Sequence, residues 1–427
     1  MKFDRLKFDR KIELLAPAGD MEKLRFAITY GADAVYFGGK IGSLRSGADN
    51  LSTPEIYKAV EYVHDNGKKA YLALNIYAHE EDIRPLETFI KEVKGAEVDA
   101  FIVSDPGVLS MIKDIIPDAT LHLSTQASAT NALAAKFWEK AGVSRVIAAR
   151  EMTLAEIRHL TATAPEIEVE VFVHGAMCVS YSGRCLLSAA MTGRDANKGE
   201  CAHPCRYRYV ITEEKRPGEF YALEEDSRGT YIMNSKDLCM INHVPKLVES
   251  GIVSLKIEGR MKSLYYVSIV VKAYRQALDA YYAELRGAAV DFSDSKFSSD
   301  VWQRELETVS HRPYSTGFYF GKPGADSIAA DVGGYASMYD FVGIVKSFDS
   351  VRNTAVIEQR NKIFSGDLIE FIGPETEAFP QIIEAMYDAA GDPIDSAPHA
   401  QQIIQIPMSR PVSENYILRR QKQLTDV

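Results

Sequence analysis

Short apolar segments rich in β-branched and aromatic residues recur as far as residue 257, and amphipathic helical patterns separate them. The eight segments are Ile12–Leu15, Ala34–Phe37, Lys69–Leu74, Ala100–Val103, Thr120–Leu123, Arg145–Ala148, Glu168–Val173 and Val253–Ile257. Strands that alternate with helices predict a parallel sheet, because each parallel pairing needs a crossover connection. Eight such units are the number that closes a barrel. We therefore predict an α/β fold, a (β/α)8 TIM-like barrel, with a doubly wound open sheet as the alternative.

Helical patterns fill the intervals between these segments. They cover Met21–Tyr30, Pro54–Asn66, Asp82–Val93, Val108–Ile116, Asn131–Lys140, Leu154–Thr161, Leu238–Glu249 and Ser263–Tyr281. Asp20 and Thr153 stand directly before two of these helices and are predicted N-caps. Residues 174–236 break the alternation, because they form a connection far longer than the usual loop between two elements. A connection of that length inside a compact domain indicates a functional segment.

The chain length of 427 residues exceeds the roughly 250–300 at which single hydrophobic cores stop growing, so more than one domain is expected. We predict a barrel domain at residues 1–283, with a Cys-rich insertion at 174–236 after strand 7. Residues 284–334 are polar and turn-rich, and are predicted to form a linker or arm. Residues 335–427 are predicted to form a small antiparallel β-barrel from the segments Val342–Phe348, Thr354–Gln359, Asp367–Ile372 and Gln401–Ile406.

Charge and hydropathy restrict the location and the partners. The net charge of -10 gives no overall attraction to phosphate, so a nucleic acid would have to be bound by a local basic patch. The N-terminal residues lack the uninterrupted apolar core of a signal peptide, and no later run approaches 18 apolar residues. We expect a cytoplasmic protein without a membrane partner. The oligomeric state stays open.

All five cysteines lie in the long connection or just after it: Cys178, Cys185, Cys201, Cys205 and Cys239. Buried cysteines that act as small hydrophobes would be scattered along the chain, so this confinement favours metal ligation. The spacing does not match the CxxC-type pairs of structural zinc sites. An iron–sulfur cluster needs four thiolates and accepts ligands from separate loops, so it fits the irregular spacing better, with zinc as the alternative.

A cysteine nucleophile is a competing interpretation of the same residues. His174 lies four residues before Cys178, and thiolate–imidazole pairs catalyse acyl transfer. That chemistry needs one cysteine and leaves the other four unexplained. The Ser- and Gly-rich sequence around these residues contains no GxSxG motif.

Polar and cationic residues follow the predicted strands, and the carboxyl ends of barrel strands build the active site in this fold. Guanidinium groups match carboxylates and phosphates bidentately, so convergent cations at these ends indicate a site for a small anion. The predicted substrate- or anion-binding residues are Arg45, Arg150, Arg260 and Lys262. His174, Glu258 and Arg260 are the candidate catalytic residues. Taken alone, each cation is better explained as a surface or ion-pair residue, and only their predicted convergence indicates a site.

Four sequence stretches resemble a known family. They are ELLAPAGDMEKLRFAITYGADAVYFGG, HGAMCVSYSGRCLLSAAMTGRDANKGECAHPCR, NSKDLC and KIEGRMKS. They resemble the collagenase-like, unclassified peptidase family U32, from about Ile12 to Tyr281. The C-terminal strands look like the small domain appended in that family.

Within the family the likeness is greatest to the bacterial proteins that make 5-hydroxyuridine at the tRNA wobble position, in a reaction dependent on prephenate. Related members hydroxylate ribosomal RNA or a quinone precursor without molecular oxygen and carry a [4Fe–4S] cluster on four cysteines. The resemblance therefore implies a tRNA hydroxylase whose partners are a tRNA anticodon loop and a small carboxylate co-substrate, prephenate. It implies Cys178, Cys185, Cys201 and Cys239 as cluster ligands, with Cys205 as an alternative to Cys201.

Two other functions stay open from the sequence. One is a collagenase-like peptidase with a zinc or cysteine centre, as the family name suggests. The other is a noncatalytic, cluster-bearing subunit of an RNA-modification assembly.

Overall fold

The computed structural model of the chain describes residues 11–44, 48–178, 180–206, 235–286, 299–321 and 338–422, and four two-residue strands between 206 and 235. Those four strands form two antiparallel pairs, Ile211–Thr212 with Phe220–Tyr221 and Glu225–Asp226 with Gly229–Thr230. None of the described helices is both long and apolar enough to cross a membrane.

Eight parallel strands form a closed barrel. They are β1 (Glu13–Pro17), β2 (Ala34–Gly38), β3 (Lys69–Leu74), β4 (Ala100–Val103), β5 (Leu121–Leu123), β6 (Arg145–Ile147), β7 (Glu168–Ala176) and β8 (Ser254–Ile257). Each strand pairs with the next along the chain, and β8 pairs with both β7 and β1. The predicted TIM-like barrel is confirmed, and the open sheet is excluded. The strands are almost wholly buried because side chains fill the barrel interior and helices cover its outer surface.

The helices are α1 (Met21–Thr29), α2 (Thr53–Asp65), α3 (Glu80–Val93), α4 (Pro106–Ile115), α5 (Ala132–Lys140), α6 (Leu154–Thr163), α7 (Leu187–Thr192), α8 (Val244–Val248), α9 (Leu264–Leu285) and α10 (Ser299–Glu307). Short 3-10 turns span Lys94–Ala96, Thr125–Ala127, Ala196–Lys198, Pro204–Arg206 and Ile241–His243. The predicted N-caps are confirmed: the Asp20 carboxylate accepts from the Lys23 backbone N–H, and Thr153 forms a capping box with Glu156.

The predicted helix at Leu238–Glu249 is wrong in its first half. Residues Asp237–Cys239 form a short strand that pairs antiparallel with the end of β7, with Cys239 opposite His174. The helix begins only at Val244, where Pro245 is accommodated in the first turn because no backbone N–H is needed there. A second short strand, Tyr314–Ser315, adds to the other side of Asp237–Cys239. Residues that follow α10 are thereby attached to the barrel mouth.

The C-terminal residues form an antiparallel sheet that curls into a half-barrel. Its strands, in sequence order, are β9 (Tyr339–Asp349), β10 (Thr354–Gln359), β11 (Ile363–Phe364), β12 (Leu368–Ile372), β13 (Phe379–Ile382), β14 (Tyr387–Asp388), β15 (Ser396–Ala397), β16 (Ile403–Pro407) and β17 (Ile417–Gln421). Seven of them form one sheet with β13 and β14 at its edges, and β11 pairs with β15. The predicted antiparallel architecture is confirmed, as an open half-barrel with its own apolar core.

Buried polar contacts attach the half-barrel to the barrel. The Tyr30 hydroxyl lies 2.9 Å from the Ile372 carbonyl oxygen. The Lys272 ammonium donates to the Gly373 and Thr376 carbonyls at 2.8 and 2.6 Å, and burial lowers its pKa to about 8. Arg419 on β17 forms ion pairs with Glu305 of α10 at 2.9 Å and with Glu370 of β12 at 2.6 Å. These partners hold the two sheets in one arrangement, because each buried group would otherwise lose its hydrogen bonds.

Removal of the Arg312 side chain is expected to destabilise the fold. Arg312 donates to Asp237 at 2.9 and 2.6 Å, and both side chains are 2% exposed. We expect Arg312→Ala to lower the free energy of unfolding by about 3–5 kcal/mol, because it leaves a buried carboxylate uncompensated. Urea denaturation measures this loss. The matched control is Arg352→Ala, whose side chain is 81% exposed and 4.0 Å from Asp349, and which should change stability by less than about 0.5 kcal/mol. Equal stability of the two variants would contradict the role of the buried pair.

Candidate active site at the barrel mouth

A cavity of about 460 Å³ opens at the barrel mouth, where the Cys-rich insertion meets the strand ends. We call it the outer cavity. The strand ends contribute Arg150 after β6, Ala176 of β7 and Glu258 after β8. The insertion contributes its opposite wall. This position, at the carboxyl ends of the strands, is where the (β/α)8 fold places catalytic residues.

Four of the five cysteines line the outer cavity: Cys178, Cys185, Cys201 and Cys205. The Cys178 thiol donates a hydrogen bond to the Cys185 sulfur. That hydrogen bond lowers the pKa of Cys185 to about 5 and, together with burial, raises the pKa of Cys178. The lowered pKa of Cys185 favours the thiolate, the form in which cysteine binds metals.

The fifth cysteine lies elsewhere. Cys239 is buried, and its sulfur is 3.9 Å from Oε1 of Gln303 in α10. Burial raises the pKa of its thiol to about 11. Cys239 does not line the outer cavity, whereas Cys205 does.

The thiols of the outer cavity match a [4Fe–4S] cluster in ligand type and number, since four cysteine thiolates hold such a cluster and four thiols line this cavity. Within the described residues no three Cys, His, Asp or Glu side chains lie close enough together to hold a single metal ion.

A second, smaller cavity of about 50 Å³ lies inside the barrel mouth, and we call it the inner chamber. Its polar lining consists of Tyr36, Asn75, Ser124, Thr125, Gln126, Arg150, Lys256, Glu258 and Arg260. Gln126, Arg150 and Glu258 line both the inner chamber and the outer cavity, so the two spaces adjoin. The inner chamber combines three cations and several neutral polar groups with one carboxylate residue, Glu258, so positive charge is in excess there, as a small-anion site requires.

Two glycines make room for Arg260, which is 3% exposed. A Cβ atom on Gly38 would overlap Nη1 of Arg260 and Oγ of Ser43. A Cβ atom on Gly19 would overlap the Arg260 carbonyl oxygen. Gly38 of the FGGK stretch is therefore required by the close approach of the Arg260 guanidinium, and Gly19 of the APAG stretch by that of the Arg260 backbone carbonyl.

Three of the other predicted site residues line one or both cavities. Arg150 lines both cavities, and its Nε lies 3.3 Å from Ser182 Oγ. Lys262 lines the outer cavity and donates to the Ser310 carbonyl at 2.9 Å. Glu258 lies between the two cavities, with its backbone carbonyl bonded to the Tyr266 hydroxyl. Arg45 lies outside the described residues.

His174 lies apart from both cavities. It is 1% exposed and is surrounded by the rings of Tyr266, Tyr274 and Tyr314 at centroid distances of 5.3 to 5.9 Å. Neither ring nitrogen has a hydrogen-bond partner among the described residues. Burial lowers its pKa to about 3, so the imidazole is neutral at physiological pH.

Lys256 is the site residue that the strand pattern did not identify. It lies on β8, donates to Glu170 at 2.8 Å and stands 4.3 Å from the Tyr36 ring centroid. Burial lowers its pKa, and the charge of Glu170 opposes that effect. The signal was present in the sequence as a charged residue inside an otherwise apolar strand, because such a residue is rarely buried without a partner.

Comparisons with known proteins match nearly the whole chain. The family model for peptidase family U32 matches residues 19–329, and the model for the peptidase family U32 C-terminal domain matches residues 337–419. The tRNA hydroxylation protein P1 of Bacillus subtilis is 40% identical over 97% of this chain and 96% of its own length. The tRNA hydroxylation protein P of Escherichia coli is 35% identical over 96% of each chain. A collagenase of Porphyromonas gingivalis is 32% identical over 87% of this chain and 89% of its own length.

Proposed function

We propose that this chain, which belongs to peptidase family U32, is an RNA-modifying enzyme that hydroxylates C5 of the wobble uridine in tRNA. Two relatives that align along almost its whole length are named as tRNA hydroxylation proteins, which supports hydroxylation of an RNA pyrimidine. The finer proposal, a reaction that is independent of molecular oxygen and dependent on prephenate, follows the family resemblance. A cytoplasmic location is consistent with a tRNA substrate.

The observation that carries the proposal is the pair of adjoining cavities. The outer cavity, at about 460 Å³, lies in the size range of sites that enclose small organic ligands and so has room for a pyrimidine. The inner chamber, at about 50 Å³, has room for little more than a carboxylate group. A carboxylate held by Arg260 and Arg150 would leave the rest of the co-substrate in the outer cavity, beside the base.

The thiols Cys178, Cys185, Cys201 and Cys205 would hold a [4Fe–4S] cluster on the wall of the outer cavity. A cluster bound there supplies redox chemistry next to the base. The thiolate character of Cys185 favours metal binding, since a deprotonated sulfur is the ligand. Cys239 would then keep a structural role under α10.

We assign to Glu258 the transfer of a proton in this reaction. Hydroxylation replaces the C5–H bond of uridine by C5–OH, a two-electron oxidation in which the carboxylate co-substrate would supply the oxygen atom and be reduced, and a group near the base must accept the C5 proton that is released. Glu258 lines both cavities and is the carboxylate residue that does so among the described residues. General-base catalysis requires such a group within hydrogen-bond reach of the proton.

The anticodon loop suits access to this cavity. A base must leave its stack to bring its ring carbon into an enclosed site, and loop bases are already unpaired. The net charge of -10 means that phosphates would be bound by local cations, not by the protein's overall field.

The peptidase alternative has weaker support in the geometry. A relative named as a collagenase keeps it open. The histidine that the sequence suggested as the partner of a cysteine nucleophile, His174, is buried among tyrosines and lines neither cavity. Acyl transfer by Cys178 would need that imidazole within hydrogen-bond reach.

Serine variants distinguish the two sets of cluster ligands, which differ in whether the fourth ligand is Cys205, as the cavity indicates, or Cys239, as the family resemblance implies. We expect Cys178→Ser, Cys185→Ser, Cys201→Ser and Cys205→Ser each to lose most of the iron bound after anaerobic purification, because a cubane cluster needs four ligands. The matched control is Cys239→Ser, which should retain iron because its sulfur faces Gln303. Iron analysis and visible absorbance measure the difference. Retention of iron by Cys205→Ser together with its loss from Cys239→Ser would contradict the cavity-based assignment.

An Arg260 variant tests the function and the inner chamber together. In a strain that lacks this gene, tRNA nucleoside analysis should show no 5-hydroxyuridine from this pathway, and the wild-type chain should restore it. Arg260→Gln should fail to restore it while keeping iron content and tRNA affinity, because it removes only the anion-binding guanidinium. Arg158→Gln, a half-exposed arginine on α6, is the control that should restore the nucleoside. Normal 5-hydroxyuridine levels with Arg260→Gln would refute the proposed role of the inner chamber.

A further inference from the structure

Large apolar side chains are exposed on the segments that build the outer cavity. Tyr181 is 62% exposed and Met261 is 53% exposed, and both line the cavity. Leu186 and Met191, on the same insertion, are 72% and 47% exposed. Exposed apolar side chains that gather at a cavity indicate a binding surface, because isolated ones are scattered over an ordinary protein surface.

Tyr181 lies on a turn, and the next residue, Ser182, is hydrogen-bonded to the barrel. Ser182 is fully buried, and its backbone N–H donates to Glu151 Oε1 at 2.9 Å. Ser182 Oγ lies 3.3 Å from Arg150 Nε, and the Ser182 carbonyl accepts from the Ser128 hydroxyl. The backbone of this turn is therefore fixed although the Tyr181 ring is exposed.

Gly183 fixes the turn from its other side. It has a φ of +71°, and a Cβ atom at this position would overlap the Gln126 carbonyl oxygen. Only glycine accepts both the left-handed backbone and this close approach. An exposed aromatic ring on a fixed turn is a preorganised binding surface, because little conformational freedom is lost when a ligand covers it.

The chemistry of the surroundings favours a nucleobase as the ligand. Arg184 and Arg194 are exposed on the same insertion and offer positive charge to a phosphate backbone. A flat aromatic ring beside a cavity, with cations nearby, is the arrangement by which proteins bind single-stranded nucleic acid: bases stack and phosphates are paired.

We propose that Tyr181 is the platform on which an RNA base stacks at the entrance of the outer cavity. The proposal rests on the proposed function, because it takes the RNA of that reaction as the ligand. It assigns to Tyr181 a role in binding and orienting the base, separate from the thiols and from the inner chamber.

An anticodon stem–loop RNA with 2-aminopurine at the wobble position tests the proposal, because stacking on an aromatic ring quenches the fluorescence of this base. With the anaerobically purified full chain, binding should quench the probe. Tyr181→Phe should quench it equally, since the ring is retained. Tyr181→Ala should abolish the quenching and weaken binding by roughly 5- to 150-fold, the range expected for one base–aromatic stack. Phe137→Ala on α5, an aromatic residue 64% exposed that does not line the cavity, is the control and should behave as wild type.

Three results would overturn the stacking role. Unchanged quenching with Tyr181→Ala would show that the base stacks elsewhere. An equal loss of quenching and of RNA affinity in Tyr181→Phe would show that the hydroxyl group, and not the ring, is needed. Loss of iron from Tyr181→Ala would identify the ring as a cover for the metal centre. If the wild-type chain hydroxylates tRNA and Tyr181→Ala has the same KM for tRNA as the wild type, only the stacking role fails. If the wild-type chain neither binds nor hydroxylates tRNA, the proposed function fails together with the stacking role.

Discussion

The Glu170 carboxylate, fully buried in the barrel, is the group on which the arrangement of the site depends. It lies 2.8 Å from the Lys256 ammonium and 3.1 Å from the Arg145 guanidinium, and these two cations lower its pKa against the effect of burial. Without it, the buried Lys256 ammonium would lose its carboxylate partner at a cost of several kcal/mol, whereas Arg145 would keep its ion pairs with Glu13 and Glu168. With it, Lys256 can line the inner chamber together with Arg260 and Arg150.

The insertion after β7 builds the remaining wall of the site because it is anchored at separate points. Ser182 and Gly183 fix its beginning against Glu151 and Gln126. Its end is fixed where Asp237 pairs with β7 and is neutralised by Arg312. Three thiols of the outer cavity, Cys185, Cys201 and Cys205, lie between these anchors, and Cys178 lies four residues before the first of them. A thiol set gathered from a loop needs such anchors, because the ligands would otherwise lose their relative positions with every loop motion.

Periodic local patterns predicted most of the fold. The alternation of strands and helices gave the barrel, and Asp20 and Thr153 marked helix starts, because these signals depend on neighbouring residues alone. The region around Cys239 was mispredicted because its strand exists only through pairing with β7. Confinement of the cysteines to one region predicted a metal centre, and sequence distance alone could not show that Cys178, Cys185, Cys201 and Cys205 line one cavity while the Cys239 sulfur lies 3.9 Å from Gln303 of α10. The sequence predicted only some residues of the inner chamber, since Lys256 and Gly38 acquire their roles through contacts between distant strands.

The account holds that one cavity brings together a base, a carboxylate and the thiol-held centre for hydroxylation. Its most direct test uses the purified full chain, loaded with iron under anaerobic conditions, and tRNA from a strain that lacks the gene. After incubation with prephenate, mass analysis of the nucleosides should show one added oxygen on the wobble uridine, and none when prephenate is left out. Iron-loaded protein that binds the tRNA but adds no oxygen with prephenate present would contradict the account.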